Sequence, residues 1–212
     1  MQTYYAARAN EYDQIYLKPE RQKDLREIEC WLPDVFCGRT VLEVACGTGY
    51  WTRFLARTST AVVAVDASPE TLRVAQTRLP PDKVRLLVGD AYKLDVSLAG
   101  FDGAFAGFWW SHVPYARIEG FLRGFHAALT PGAKVVLLDN RFVAGSSTPI
   151  AGQDAEGNTY QERKLADGSV HRVLKNFPSR EDLVRTVAGV AHEVRHHAWK
   201  YYWALEYNVG AP

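Results

Sequence analysis

Residues 41–52 read Val-Leu-Glu-Val-Ala-Cys-Gly-Thr-Gly-Tyr-Trp-Thr. An apolar, β-branched run meets an acid and then two glycines one residue apart. That pattern is a buried strand turning sharply into a helix. Gly47 and Gly49 free the backbone to turn and let a ligand come within contact distance. A small nucleoside-bearing ligand suits such a turn, and the residues beyond it decide which one.

A dinucleotide site would need G-x-G-x-x-G, whose third glycine lets the helix pack on the strand. Here that place is Thr52. The stretch resembles instead the signature of class I S-adenosylmethionine (SAM) methyltransferases, an acid followed by small residues at alternate positions. These are Glu43, Ala45, Gly47 and Gly49, with Ala45 standing where glycine is commonest. Residues 61–68, Ala-Val-Val-Ala-Val-Asp-Ala-Ser, form a second buried strand ending on Asp66. A carboxylate there can accept both hydroxyls of a ribose, each such bond contributing about 1.5–3 kcal/mol. Asp66 also sits near the spacing of a dinucleotide's ribose acid, so it does not discriminate alone. The third strand, residues 84–90, ends in Val-Gly-Asp and is followed by Ala91.

The resemblance implies that Asp90 takes the adenine amino group and the Ala91 N–H a ring nitrogen, a requirement that dinucleotide enzymes lack. It covers roughly residues 41–140. It implies SAM as methyl donor and S-adenosylhomocysteine as product, with Glu43, Ala45, Gly47, Gly49, Asp66, Ala67, Asp90, Ala91 and Phe108 forming the cofactor site. Structural roles compete for the two aspartates. Asp66 could cap the helix starting at Pro69, although Ser68 is better placed for that. Asp90 could be a turn residue after Gly89. Cys46 has no neighbouring His in sequence and reads as a small buried residue.

A chain of 212 residues, 47% hydrophobic and 23% charged, suits one globular domain with a substantial core. The net charge of +1 sets up no global field toward nucleic acid or an anionic membrane. Cys30, Cys37 and Cys46 form no C-x-x-C pair, which argues against a disulfide framework or zinc site and suits a reducing cytosol. No stretch has signal-peptide or membrane-spanning character, so a cytoplasmic location is expected. No metal-ligand motif is present, and metal independence is expected.

Element order follows from periodicity. An aromatic, partly helical segment at residues 4–16 precedes a helix opened by Pro19, with Leu25, Ile28 and Leu32 on one stripe. Strands near Val41, Val62, Val84, Phe101 and Lys134 alternate with helices near Tyr50, Pro69 and Ile118, the last carrying Ile118, Phe121, Leu122, Phe125 and Leu129 and ended by Thr130-Pro131-Gly132. The fold expected is α/β: a doubly wound, seven-stranded, mainly parallel sheet with helices on both faces. The resemblance adds an antiparallel last strand, and the alternation Tyr201, Trp203, Leu205, Tyr207, Val209 fits it. Residues 159–177, around Asp167-Gly168, predict an inserted β-hairpin. It could roof a pocket, build a dimer contact, or be decorative. Residues 1–35 are read as cover helices.

After the fourth strand comes Gly107-Phe108-Trp109-Trp110-Ser111-His112-Val113-Pro114. In the methyltransferases this strand end faces the transferable methyl. The Asn/Asp-Pro-Pro-Tyr/Phe motif and the Pro-Cys nucleophile are both absent, which disfavours a nucleic-acid substrate. Trp109 and Trp110 could stack on a flat ligand or pack in the core. His112 is the candidate general base, with a structural role as the alternative. Asn140 and Arg141, past the fifth strand, could hold a polar group of the acceptor, or Arg141 could pair with a surface acid. Tyr4, Tyr12 or Tyr16 would line the pocket as part of an N-terminal cover, with a surface lid as the alternative. His196 and His197 are read as structural. The function expected is methyl transfer from SAM to N or O of a small, cyclic or aromatic metabolite. C-methylation of a quinone-like ring, a non-catalytic SAM-binding protein and a nicotinamide-dependent dehydrogenase are the competitors, the last disfavoured by Thr52 and Asp90.

Overall fold

The computed structural model describes residues 12–210 apart from 96 and 166–167. Two short 3-10 segments, Tyr12–Leu17 and Pro19–Arg21, lead into helix α1 (Gln22–Val35). Leu25, Ile28 and Leu32 recur at helical spacing and are all buried. Strand β1 (Thr40–Val44) enters the glycine turn, and α2 (Thr52–Thr58) leaves it. There follow β2 (Ala61–Asp66), α3 (Pro69–Gln76), β3 (Val84–Val88), β4 (Phe101–Gly107), α4 (Ile118–Ala127) and β5 (Leu129–Asn140). Ser68 caps α3, its Oγ accepting from the Thr71 N–H at 3.3 Å, with Pro69 in the first turn where its missing N–H is harmless.

One boundary differs from the sequence reading. Helix α4 stops at Ala127, and Thr130-Pro131-Gly132 belongs to β5 instead of ending the helix. Phe101 pairs with Leu129 and Gly103 with Lys134, so the intervening residues bulge from the β4–β5 ladder. A bulge accommodates Pro131, which cannot donate to a ladder, and Gly132 at φ +78°.

The seven-stranded sheet has the order β3-β2-β1-β4-β5-β10-β9, where β9 is Ala191–Ala198 and β10 is Tyr202–Val209. Strands β1–β5 pair in parallel, and β10 runs antiparallel between β5 and β9. Side chains alternate between two cores. Val136, Leu138, Tyr202 and Ala204 face α1, α2 and α3. Val135, Leu137, Trp203, Leu205 and Tyr207 face α4 and α5 (Arg180–Val187). Covering both faces is what makes the central strands near-continuous apolar runs. The strand order reverses between β1 and β4, where such sheets open a crevice beyond the carboxyl ends.

The inserted segment forms a separate three-stranded sheet: β6 (Gly152–Gln153), β7 (Thr159–Lys164) and β8 (Val170–Leu174), ordered β6-β7-β8. Two residues of its expected turn, Ala166 and Asp167, lie outside the described residues. The sheet is tied to the segment following β4: the Asn176 N–H donates to Ser111 O at 2.8 Å and the Tyr115 N–H to Asn158 Oδ1 at 2.9 Å. Among the described residues no helix is long and apolar enough to cross a membrane.

Candidate functional site

The turn after β1 is held open by one carboxylate. Asp66 Oδ2 accepts the Gly47 N–H at 2.8 Å, while Oδ1 accepts the Ser68 N–H at 2.9 Å and the Thr71 hydroxyl at 3.2 Å. Burial raises the Asp66 pKa, and these donors oppose the rise. Ala45, Gly47 and Gly49 all adopt left-handed φ, at +54°, +56° and +77°. For Ala45 that conformation costs about 1–2 kcal/mol. Gly49 is needed for a second reason: a Cβ there would lie 2.9 Å from Leu79 Cδ1 and 3.2 Å from Ala75 Cβ.

A cleft of about 270 Å³ opens beside this turn at the ends of β1 to β4. Ala45, Gly47, Asp66 and Ala67 line one side, and Asp90, Ala91 and Phe108 the other. Glu43 and Gly49 stand behind the turn, outside this lining. Glu43 Oε2 and Thr52 Oγ1 are buried without a hydrogen-bond partner among the described residues. Burial, with the Asp66 charge adding to it, pushes the Glu43 carboxyl up to about 8. Asp90 is exposed, and its Oδ1 takes the Tyr92 N–H at 2.9 Å. Trp109, expected at the acceptor, lines this smaller cleft: its ring meets Tyr92 edge-on at 5.2 Å, and the Arg117 guanidinium sits 3.5 Å from the Tyr92 ring centre. Small residues on the floor, carboxylates at two neighbouring strand ends and an aromatic side wall fit an adenosine. Tyr92 and Arg117 were not singled out from the sequence.

A larger cavity, about 650 Å³, adjoins the first, and Phe108 and His112 belong to both linings. Phe108 is itself left-handed at φ +57°, a conformation a bulky residue keeps only where its surroundings enforce it. His112 is buried on the 3-10 turn Trp110–His112. Its Nδ1 lies 2.7 Å from Leu174 O at the end of β8. A carbonyl only accepts, so Nδ1 carries the proton and the neutral ring keeps its lone pair on Nε2. Burial, then the positive charges of Lys175 and Arg163, hold the imidazole well below its ordinary value against the opposing charge of Asp139.

Next to His112, Lys175 Nζ bonds Asp139 Oδ1 at 3.0 Å and Ser111 Oγ at 2.5 Å, while Asp139 Oδ2 takes the Ser111 N–H at 2.8 Å. Asp139 is fully buried and Lys175 nearly so. A charge pair so enclosed persists because each remaining polar atom has a partner. Asn140 lines the cavity and accepts from Arg21 Nη1 at 3.0 Å. Tyr16 lines it too, its hydroxyl accepting from Trp51 Nε1 at 3.1 Å and its ring stacked 3.7 Å from Tyr50. Tyr4 and the side chain of Tyr12 lie outside the described residues.

Two expected acceptor residues are elsewhere. Trp110 is 2% exposed and packs edge-on against Trp203 in the α4/α5 core, outside both cavities. Consecutive residues on a tight turn diverge, so only one indole of the pair reaches the crevice. Arg141 turns to the surface and donates to Trp199 O at 2.7 Å, bracing the β9–β10 connection. The basic groups that do line the large cavity, Lys18, Arg21, Arg163, Lys164 and Lys175, were not singled out beforehand. Only a lysine amid the apolar run Val173-Leu174-Lys175 signalled one of them.

Residues 41–132 match the family described as "Methyltransferase domain". The chain is 46% identical over 74 residues to the magnesium-protoporphyrin O-methyltransferase of Rhodobacter capsulatus, covering 34% of this chain and 32% of that one. It is 36% identical over 126 residues to the demethylmenaquinone methyltransferase of Tropheryma whipplei (strain Twist), covering 56% and 51%. The chain thus spans a third to a half of the length of these curated relatives. Among solved structures it is similar to DhpI in complex with SAH (TM-score 0.78, 27% identity, 100% of this chain and 96% of that chain). It is likewise similar to the DhpI-SAM-HEP complex (TM-score 0.77, 28% identity, 96% and 94%). Sheet order, turn and matched family together make residues 41–132 a methyltransferase domain on the class I SAM-dependent fold, with SAM as its cofactor.

Proposed function

We propose that the protein transfers the methyl group of SAM to an oxygen of a small-molecule acceptor, with His112 as general base. The observation that carries this reading is the Nδ1–H bond from His112 to Leu174 O, made by a residue shared between the cofactor cleft and the larger cavity. Bound SAM supplies an electrophilic methyl on a good leaving group. Asp66 and Asp90 hold the nucleoside from two strand ends, and the small residues of the turn let it approach the backbone. The acceptor occupies the larger cavity. His112, kept neutral by burial, takes the proton from the acceptor hydroxyl through Nε2, and the Leu174 carbonyl steadies the ring as it gains charge. Positioning two reactants supplies about 7–11 kcal/mol of barrier reduction, and a placed base a further 10²–10⁴-fold or so. Neighbouring Lys175 and Arg163 disfavour a cationic amine as acceptor, which selects O over N. The DhpI-SAM-HEP complex offers a precedent for SAM together with a second ligand on this fold. Basic groups gathered inside a cavity rather than spread over a surface suit a small molecule, not a nucleic acid.

The test is a panel of hydroxyl, amine and ring-carbon acceptors scored by S-adenosylhomocysteine release, run on the wild type and on His112→Gln. Turnover of hydroxyl compounds, reduced about a hundredfold or more in the variant with SAM affinity kept, is the expected result. Amine or ring-carbon turnover, or a variant within tenfold of wild type, would overturn it.

A further inference from the structure

The geometry points to an acceptor that carries an oxyanion, a carboxylate or a phosphoryl group, seated against Arg21 with Lys18 and Arg163 beside it. This rests on the reading of the larger cavity as the acceptor's place. Arg21 is 93% buried by its 7% exposure and lines that cavity. Its hydrogen bonds go to neutral groups: Nε to Ser146 Oγ at 3.1 Å, Nη1 to Asn140 Oδ1 at 3.0 Å, and Nη2 to Ser146 Oγ at 3.0 Å and Ser146 O at 3.3 Å. No carboxylate of the described residues comes within ion-pair distance of it. Glu20 is one hydroxyl removed, bonded to Ser146 Oγ at 2.8 Å. A guanidinium so far out of water without a counter-charge is unfavourable on its own. A planar fork braced on one side by Asn140 and Ser146 is pre-organised for a two-oxygen anion.

The rest of the lining agrees. Lys18, Arg21, Arg163, Lys164 and Lys175 stand against one acid, Glu162. Lys175 has its own counter-ion in Asp139, and Lys18 and Arg21 have none among the ion pairs of the described residues. These cations repel one another. Burial and then Arg21 lower the Lys18 ammonium, and Arg163 and Arg21 add to the burial that lowers Lys175. An oxyanion seated at Arg21 relieves both its desolvation and its repulsion with Lys18. Lys18 Nζ, bonded to Ser146 O at 2.6 Å, sits on the same loop and would close over it.

The experiment titrates inorganic phosphate, and separately acetate, into the S-adenosylhomocysteine-loaded protein by calorimetry, for wild type, Arg21→Gln and Arg163→Gln. Binding of at least one anion, weakened about tenfold or more in either variant, is the expected result. Preference for phosphate or for acetate tells a phosphoryl acceptor from a carboxylate one. S-adenosylhomocysteine affinity, read on each variant, confirms that it is folded, since neither arginine lines the cofactor cleft. If Arg21→Gln does not fold, Arg163→Gln decides. The inference falls if neither anion binds the loaded wild type, or if both folded variants bind it as the wild type does. Failure of methyl transfer with every acceptor would instead remove the proposed function and leave the anion result to stand by itself.

Discussion

Asp66 and Asp90, the two proposed nucleoside contacts, line one cleft from adjacent strand ends, yet their surroundings give them different consequences when removed. In the free protein Asp66 already accepts three hydrogen bonds from its own chain, including the Gly47 N–H that shapes the turn. Asp66→Ala strands those donors. At about 1 kcal/mol each, partly recovered by water in the cleft, the loss is about 2–3 kcal/mol of stability. For a chain of this size that lowers Tm by about 5–10 °C. The variant also loses two ribose contacts and the preformed turn, so SAM affinity falls at least a hundredfold or so. Asp90 is exposed and holds only the Tyr92 N–H. Asp90→Ala should weaken SAM by about tenfold to a hundredfold and leave Tm within about 2 °C of wild type. Calorimetric titration with SAM and thermal unfolding of both variants measure the two axes separately. Equal Tm losses would refute the assignment of Asp66 to the turn, and an unchanged SAM affinity in Asp66→Ala would refute its place at the nucleoside.

Glu43 sets a pH dependence of stability. Its carboxyl titrates near 8 in the folded protein against an ordinary 4.5, so between those values the unfolded chain ionises while the native one keeps its proton, and stability falls as pH rises. Glu43→Gln should remove a slope of about 1.4 kcal/mol per pH unit; a wild-type-minus-variant difference that stays flat from pH 5 to 8 in denaturant titrations would show that Glu43 is ionised when folded. Gly49→Ala combines left-handed strain with the close approach to Leu79 and should cost about 2–5 kcal/mol, seen as a Tm fall of about 5–15 °C; a fall below 2 °C would mean that the turn relaxes freely. Because burial, Lys175 and Arg163 keep His112 neutral well below pH 6.5, turnover should show no rising limb near that pH, and the appearance of one would contradict the buried neutral base.

The cofactor half of the molecule was legible because its chemistry is local. An acid at a strand end, followed within three residues by a helix cap, is a statement that a short window of sequence can make, and Asp66 with Ser68 makes it. Asp66 supports the helix start through the Ser68 N–H and the Thr71 hydroxyl while it lines the cleft. Asp90 is similar, a turn residue that also lines the cavity. The double winding was legible for a related reason: strand periodicity and helix periodicity alternate with little ambiguity from Val41 to Asn140. What failed was decided by single backbone angles. Phe108 is left-handed just before the two indoles, of which Trp109 lines the crevice and Trp110 packs in the core. Pro131-Gly132 reads as a helix stop, but a bulge lets a strand absorb it.

The acceptor half resisted for a deeper reason. Arg21 precedes α1 and Lys175 follows β8, and only the chain topology brings both to the cavity beyond the ends of β4 and β5. Neither lies in a motif, and the partners each one bonds are remote in sequence, Asn140 for Arg21 and Asp139 for Lys175. The inserted sheet shows the same logic. Its turn was readable from Asp-Gly, yet its use lies in three consecutive residues past the hairpin's apolar face. The Leu174 carbonyl fixes the His112 tautomer, the Lys175 ammonium neutralises Asp139, and the Asn176 N–H ties down Ser111. On the proposed mechanism, an insertion that supplies the orienting group for His112, and through β7 also Arg163 to the cavity wall, couples acceptor recognition to proton removal. Exchanging this insert between relatives should therefore change which acceptor is used and how fast it reacts together, while the grip on SAM stays with the turn, Asp66 and Asp90.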